Sequence, residues 1–264
     1  MHIDLSKRHA IVAGSTAGIG LAIASGLAAA GAQVVVTGRT QARVDAAIAD
    51  ISQRVHGARV SGVVGDLGTR AGTDRLIAAV ARTDILVNSL GIFEPKAFFD
   101  IPDEDWLHFF EVNVLSGVRL ARHYAQGMAE RGWGRVQFIS SESGVQIPAE
   151  MVHYGVTKTA QLAVSRGLAE TLAGTGVTVN AILPGPTRSE GLGKMITKVA
   201  AEQAISEAQV ERDFIATQRP SSLIRRLASV EEVANLAVYL ASEQASATTG
   251  AAMRVDGGVV RSVV

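Results

Sequence analysis

From Ala10 to Gly38 the chain carries no charged side chain, and this constrains the fold more than any other feature. A run of that length reaches across a bilayer. Its internal punctuation argues against a membrane span. Gly14, Gly18, Gly20, Gly26 and Gly31 divide it, alanine supplies much of the remainder, and the β-branched residues gather in two separate clumps. A buried strand, a glycine turn, a helix and a second strand explain that pattern. Asp4, Lys7, Arg8 and His9 precede the apolar part, which is not the shape of a signal peptide. The expectation is a cytoplasmic protein with no membrane segment.

The same rhythm continues to the end. Apolar clumps at His9–Ala13, Gln33–Thr37, Ala58–Val64, Ile85–Val87, Val136–Ser140, Val177–Leu183 and Met253–Val255 alternate with helical patterns. Those patterns fall at Ile19–Ala30, Ala42–Gln53, Arg70–Arg82, twice within Asp103–Arg131, at His153–Ala173 and at Val230–Ser242. Strands apolar on both faces and separated by helices predict an α/β fold, a doubly wound parallel sheet covered on both sides. There is no repeat, low-complexity segment or linker, so residues 1–264 are read as one domain. One stretch breaks the rhythm, Pro184–Arg226. A connection that long in a compact domain is usually a lid or binding element, and a substrate lid is expected over about 186–226.

Composition excludes several classes. The 25 basic and 25 acidic residues balance, which offers no electrostatic footprint for nucleic acid or an anionic membrane surface. Absence of cysteine removes disulfides, a catalytic thiol and thiolate metal sites. The six histidines show no ligand spacing such as H-E-x-x-H, and no metal is assigned.

Gly14-Ser-Thr-Ala-Gly18-Ile-Gly20 follows the first strand and opens the first helix. Glycine there permits a tight turn and lets the backbone approach a pyrophosphate, while the helix N-terminus turns its free N–H groups to the anion. An NAD site usually has an acid about 20 residues further on, accepting from the ribose 2′-hydroxyl. Here the second strand ends Thr37-Gly38-Arg39-Thr40. Arg39 suits a 2′-phosphate through its planar fork, so NADP(H) is expected over NAD(H). The bland alternative is a solvated arginine at a strand end.

Tyr154-Gly-Val-Thr-Lys158 sets a phenol and an ammonium at i and i+4 on one helix face. A nearby cation stabilises a phenolate, and such a pair can protonate a carbonyl oxygen or deprotonate an alcohol. Ser141, thirteen residues upstream, is placed to hold a substrate oxygen. The bland alternative is an ordinary strand-end serine, a reading that applies equally to Ser140 and Ser143.

In order and spacing, the glycine turn, Ser141, Tyr154 and Lys158 resemble the short-chain dehydrogenase/reductase family across essentially the whole chain. Asn113-Val-Leu-Ser-Gly117, Pro184-Gly185, Gly250 and Val255-Asp-Gly-Gly258 strengthen the resemblance. It implies a seven-stranded Rossmann sheet and assigns roles. Tyr154 would be the acid–base catalyst, with Lys158 lowering its pKa and binding the nicotinamide ribose. Ser141 would orient the carbonyl, and Asn113 would hold a water in a proton relay. Gly14, Ser15, Gly18, Ile19 and Gly20 would wrap the cofactor, with Arg39, Asp66, Leu67, Asn88 and Gly91 beside them. Pro184, Gly185 and Thr187 would sit near nicotinamide and phosphates. The family's Asn-Asn-Ala-Gly is here Asn88-Ser89-Leu90-Gly91, and the residue before Gly18 is Ala17, not a basic one, so NADP(H) preference rests on Arg39. The family's usual homotetramer or homodimer is expected, with the apolar tail Val259–Val264 suited to burial at an interface.

The resulting expectation is an oxidoreductase moving hydride between NADP(H) and a ketone or secondary alcohol, with 3-oxoacyl thioesters one candidate substrate and small ketones, sugars or cyclic alcohols others. The rival is a catalytically silent NADP(H)-binding regulator, against which the complete Asn/Ser/Tyr/Lys set argues. Phe93, Gln146, Ile147, Met151 and the lid are where substrate contacts are sought. Glu142 is read either as a contact to a polar substrate or as a loop cap. His153 is read as capping its helix or lining the pocket mouth.

Overall fold

A computed structural model describes residues 2–263. Seven parallel strands form one sheet: β1 (His9–Ala13), β2 (Gln33–Gly38), β3 (Arg59–Val64), β4 (Ile85–Asn88), β5 (Gly134–Ile139), β6 (Val177–Pro184) and β7 (Ala252–Val255), in the order β3-β2-β1-β4-β5-β6-β7. The order reverses between β1 and β4, which pair from Ala10 opposite Ile85 to Ala13 opposite Asn88. A crevice forms at such a switch point, outside the carboxyl ends of the strands.

Alternation along the strands feeds two cores. Ala10 and Val12 of β1, Val34 and Val36 of β2, and Ile85 and Val87 of β4 pack on one face. There they meet α1 (Gly18–Ala29) through Ile23 and Leu27, α2 (Gln41–Arg54) through Val44 and Ile51, and Val233 and Leu240 of a C-terminal helix. Ile11, Leu86, Val136 and Phe138 face the other way. They pack on Leu76 of α3 (Arg70–Ala79), and beyond α4 (Asp103–Phe110) on Leu120 and Met128 of α5 (Ser116–Glu130), with Leu168 of α6 (Val152–Thr171) at the margin. The expectation that every strand is apolar on both faces fails for β3. It is one edge strand, and Arg59, Ser61 and Gly62 are exposed; the other edge strand, β7, fails likewise, with Ala252 and Arg254 exposed.

Two departures bear on function. The two helices expected within Asp103–Arg131 are joined without a loop, by one π-helical turn at Glu111–Leu115. Such turns recur at functional sites, and this one carries Asn113. The irregular stretch after β6 folds into α7 (Glu190–Gln203) and α8 (Glu207–Gln218), packed on a small core of Ile196, Ala200, Val210, Ile215 and Leu227. The chain then enters α9 (Val230–Leu240), whose start is fixed by a capping box between Ser229 and Glu232. Val259 and Val260 are buried within the chain, so these two residues of the tail do not await a partner; Val264 lies outside the described residues.

Candidate active site

A cavity of about 580 Å³ lies along the carboxyl ends of β1, β2, β4, β5 and β6. Its floor is the turn between β1 and α1. At Gly20 an added Cβ would stand 2.2 Å from the Gly14 carbonyl oxygen, and at Gly14, with φ +72°, one would stand 3.0 Å from Leu90 Cα. The turn closes to a width that only glycine permits. Ala17 at the N-cap supplies no side-chain acceptor, and no acid lies in the first turn of α1, so the helix presents its amide donors to the cleft. That donor set suits an anionic pyrophosphate. Gly18, Ile19 and Gly20 line the cavity. Ser15 turns away: it is fully buried, donates to the Val12 carbonyl at 2.6 Å and accepts from Thr37 N at 2.9 Å, bracing β1 to β2.

Arg39 is exposed at the cleft edge beyond β2. Arg43, which sequence reasoning missed, lines the same edge. It donates to Glu190 at 2.9 Å and reaches Thr16 Oγ1 at 3.5 Å. The signal was available, since Arg39 and Arg43 are spaced i, i+4. Asp66 and Leu67 stand beyond β3, outside the cleft lining; Asp66 accepts from Gly68 N at 3.0 Å and Leu67 joins the core. Asn88 is buried at the end of β4, and neither atom of its amide has a hydrogen-bond partner among the described residues. Gly91 faces Lys158, where an added Cβ would lie 3.3 Å from Nζ. Pro184, Gly185 and Thr187 line the opposite wall, the Thr187 hydroxyl donating to the Gly185 carbonyl at 2.9 Å.

β5 delivers the serines and α6 the phenol and ammonium. Ser140 donates to the Lys158 carbonyl at 2.8 Å, which ties it to α6. The Ser141 hydroxyl accepts from Ser143 N at 3.1 Å and donates to the Glu142 carboxylate. Lys158 donates to the Ile139 carbonyl at 2.9 Å and to Gln161 Oε1 at 3.2 Å, with Nζ 5.5 Å from the centre of the Tyr154 ring. Burial pulls its ammonium down to about 8, against the Glu142 charge. Burial pushes the Tyr154 phenol above its ordinary value; the neighbouring Ser141 hydroxyl and the Arg219 charge oppose this, and the Glu142 charge adds to it.

Asn113 is buried, and its side chain clamps the strand-four loop. Oδ1 accepts from Ile92 N at 2.8 Å, and Nδ2 donates to the Ile92 carbonyl at 3.0 Å and to Thr157 at 2.9 Å. Its own carbonyl accepts from Gln161 Nε2 at 2.6 Å. Gln161, another residue the sequence did not single out, therefore links Lys158 to Asn113. His153 neither caps α6 nor lines the cleft. It is fully buried, with its ring 4.0 Å from that of Phe109, and burial lowers its pKa. Phe93 and Met151 line the cavity, whereas Gln146 and Ile147 lie outside it.

Residues 13–260 match the sequence profile described as enoyl-(acyl carrier protein) reductase. An uncharacterized oxidoreductase, YvaG, of Bacillus subtilis (strain 168) is 46% identical over 263 residues, covering 100% of both chains. A D-beta-hydroxybutyrate dehydrogenase of Cupriavidus necator is 34% identical, with 97% of this chain and 99% of that protein aligned. Among solved structures, L-sorbose reductase from Gluconobacter frateurii, complexed with NADPH and L-sorbose, superposes with a TM-score of 0.93 at 32% identity over 100% of both chains.

Proposed function

The chain belongs to the short-chain dehydrogenase/reductase family of NAD(P)-dependent oxidoreductases, and on that premise we propose that it moves hydride between NADP(H) and a small ketone or secondary alcohol, with Tyr154 handling the proton. The observation that carries the proposal is the convergence of Ser141, Tyr154 and Lys158 on one cavity with the glycine turn.

NADPH, when bound, supplies the hydride. The turn Gly14–Gly20 holds the pyrophosphate, Arg39 and Arg43 meet the 2′-phosphate, and Gly91 with Pro184, Gly185 and Thr187 borders the nicotinamide end. NADPH in the sorbose reductase complex supports that cofactor. The roles of Asp66 and Leu67 at the adenine, and of Asn88 beneath the ribose, extend the same reading. Ser141 turns its hydroxyl to the substrate carbonyl. Tyr154 gives its phenolic proton to the same oxygen, which suits a phenol that burial keeps protonated. Lys158, fixed by two acceptors, directs its charge at the phenolate left behind. Asn113 holds the loop carrying Gly91 and, through Gln161, the lysine. The pair α7 and α8 serves as a lid over the substrate end. Assembly as a homotetramer or homodimer belongs to this proposal. No helix among the described residues is long and apolar enough to cross a membrane.

Tyr154→Phe tests the reading against the silent-regulator rival. Turnover is expected to fall about 10²–10⁴-fold, the usual worth of a positioned acid–base group, with NADPH binding by fluorescence unchanged. Retained turnover would refute the role of Tyr154.

A further inference from the structure

The Ser141 hydroxyl has a single proton, and in this structure Glu142 Oε2 receives it. Glu142 is buried, with its side chain 5% exposed. Its other oxygen accepts from Arg219 Nε at 2.9 Å, and Arg219, just past the end of α8, also donates to Glu150 at 3.2 Å. Ser141, Glu142 and Arg219 line the same cavity as Tyr154. A serine that turns to the reacting carbonyl strips Glu142 Oε2 of its donor. A buried carboxylate oxygen left in that state carries a desolvation cost. A donor entering with the substrate restores the lost hydrogen bond, and the place for it is next to the carbonyl oxygen.

We propose that the substrate carries a hydroxyl on the carbon beside the reacting carbonyl, and that Glu142, anchored by Arg219 of the lid segment, accepts a hydrogen bond from it. The assignment rests on the carbonyl-reductase reading above and narrows it to neutral α-hydroxy ketones, the class that includes keto sugars. A plain alkyl ketone or an acyl chain brings no donor to Oε2. A keto acid brings a carboxylate towards Glu142, whose charge Arg219 and Lys158 already meet, and brings no proton for Oε2 to accept. Arg219 thereby acts as a positioning residue: it holds the carboxylate aimed along the wall and ties the end of α8 to the specificity site.

Steady-state reduction with NADPH compares hydroxyacetone with methoxyacetone, which keeps the electron-withdrawing oxygen but has no proton to give, and with 2-butanone and acetoacetate. The wild-type enzyme is expected to favour hydroxyacetone in kcat/KM by about 100-fold or more, since a site built for a hydroxyl strongly rejects an analogue lacking it. In Glu142→Gln, with NADPH binding retained, the ratio of hydroxyacetone to methoxyacetone is expected to fall at least about tenfold. Equal wild-type efficiency for the two ketones overturns this proposal and leaves the oxidoreductase reading standing. A wild-type preference unaltered in Glu142→Gln overturns the assignment to Glu142. No reduction of any ketone, with NADPH bound, overturns both readings. The wild-type comparison decides the substrate class even where the variant fails to fold.

Discussion

The two walls of the cleft are built on different principles. The wall proposed for the cofactor is a matter of backbone. At Gly20 an added Cβ would meet the Gly14 carbonyl oxygen at 2.2 Å, and at Gly14 and Gly18, both at positive φ, it would press on Leu90 and Ser189 at 3.0 and 3.3 Å. The wall proposed for the substrate is a matter of side chains. α7 and α8 rest on a five-residue buried cluster and on ion pairs such as Arg219–Glu142 and Arg188–Glu211. Glycine occurs there too, but Gly193 has nothing within 4 Å of an added Cβ, and Gly191 only ordinary contacts with the Phe93 ring at 3.5 Å. One residue type thus means a steric necessity on one wall and a weakened helix on the other. The difference teaches that a glycine is informative only together with what surrounds it.

Gly20→Ala is the hardest way to break the first wall. Its Cβ meets a carbonyl oxygen of the backbone, not the movable end of a side chain, so α1 must retreat from the turn. Overpacking of this kind costs about 1–3 kcal/mol of stability, and displacing the amide donors by about 1 Å is expected to weaken NADPH binding by roughly 10²-fold. Isothermal titration and thermal unfolding read the two effects; unaltered NADPH affinity would remove the turn from the cofactor site.

Arg39→Asp probes the part of that wall made of side chains. A charge-assisted hydrogen bond is worth about 1.5–3 kcal/mol, so preference for NADP(H) over NAD(H) is expected to drop about tenfold or more. Arg43, held by Glu190, retains the remainder. Equal NADP(H) and NAD(H) affinity already in the wild type would sink the assignment of this edge.

The walls meet at Tyr154 and Lys158, where the expected effect is a pH dependence. The Lys158 ammonium lies at about 8, so it is charged below that pH and loses its proton above it. Ketone reduction is therefore expected to weaken as pH rises through about 8, by up to tenfold per unit. The phenol stays protonated over the same range, because burial raises it. A kcat/KM profile flat from neutral pH into the alkaline range would show that the lysine charge is not needed.

The difference between the walls also explains what the sequence disclosed. Glycine turns, strand ends and the Tyr154–Lys158 spacing are local, and each states its geometry within a few residues. Seven strands and most helices were legible for the same reason, since burial on alternate faces leaves a period in the chain. Long-range partnerships leave none. Glu142 and Arg219 are 77 positions apart, and the Gln161 bridge to Asn113 spans 48. Ser15 is expected beside the cofactor with the rest of its turn; only the fold shows its hydroxyl committed to Val12 and Thr37. The π-helical turn under Asn113 was hidden because one extra residue per turn barely disturbs helical periodicity over so short a span.

Gly193→Ala carries the smallest effect and draws the sharpest line between the walls, being the same chemical change as Gly20→Ala with the opposite expected sign. Gly193 lies within the first turns of α7, after the Ser189 N-cap, and open space surrounds its missing side chain. Glycine in a helix interior is worse than alanine by about 0.8–1 kcal/mol, and no clash opposes the gain here. α7 is expected to be more stable by up to about that amount, slowing its local opening roughly fivefold. Hydrogen exchange across residues 194–203 reads this directly, while NADPH affinity, set on the other wall, stays constant. Exchange as fast as in the parent chain would mean that the start of α7 is not limited by its glycines. A concurrent loss of NADPH affinity would mean that the two walls are mechanically one.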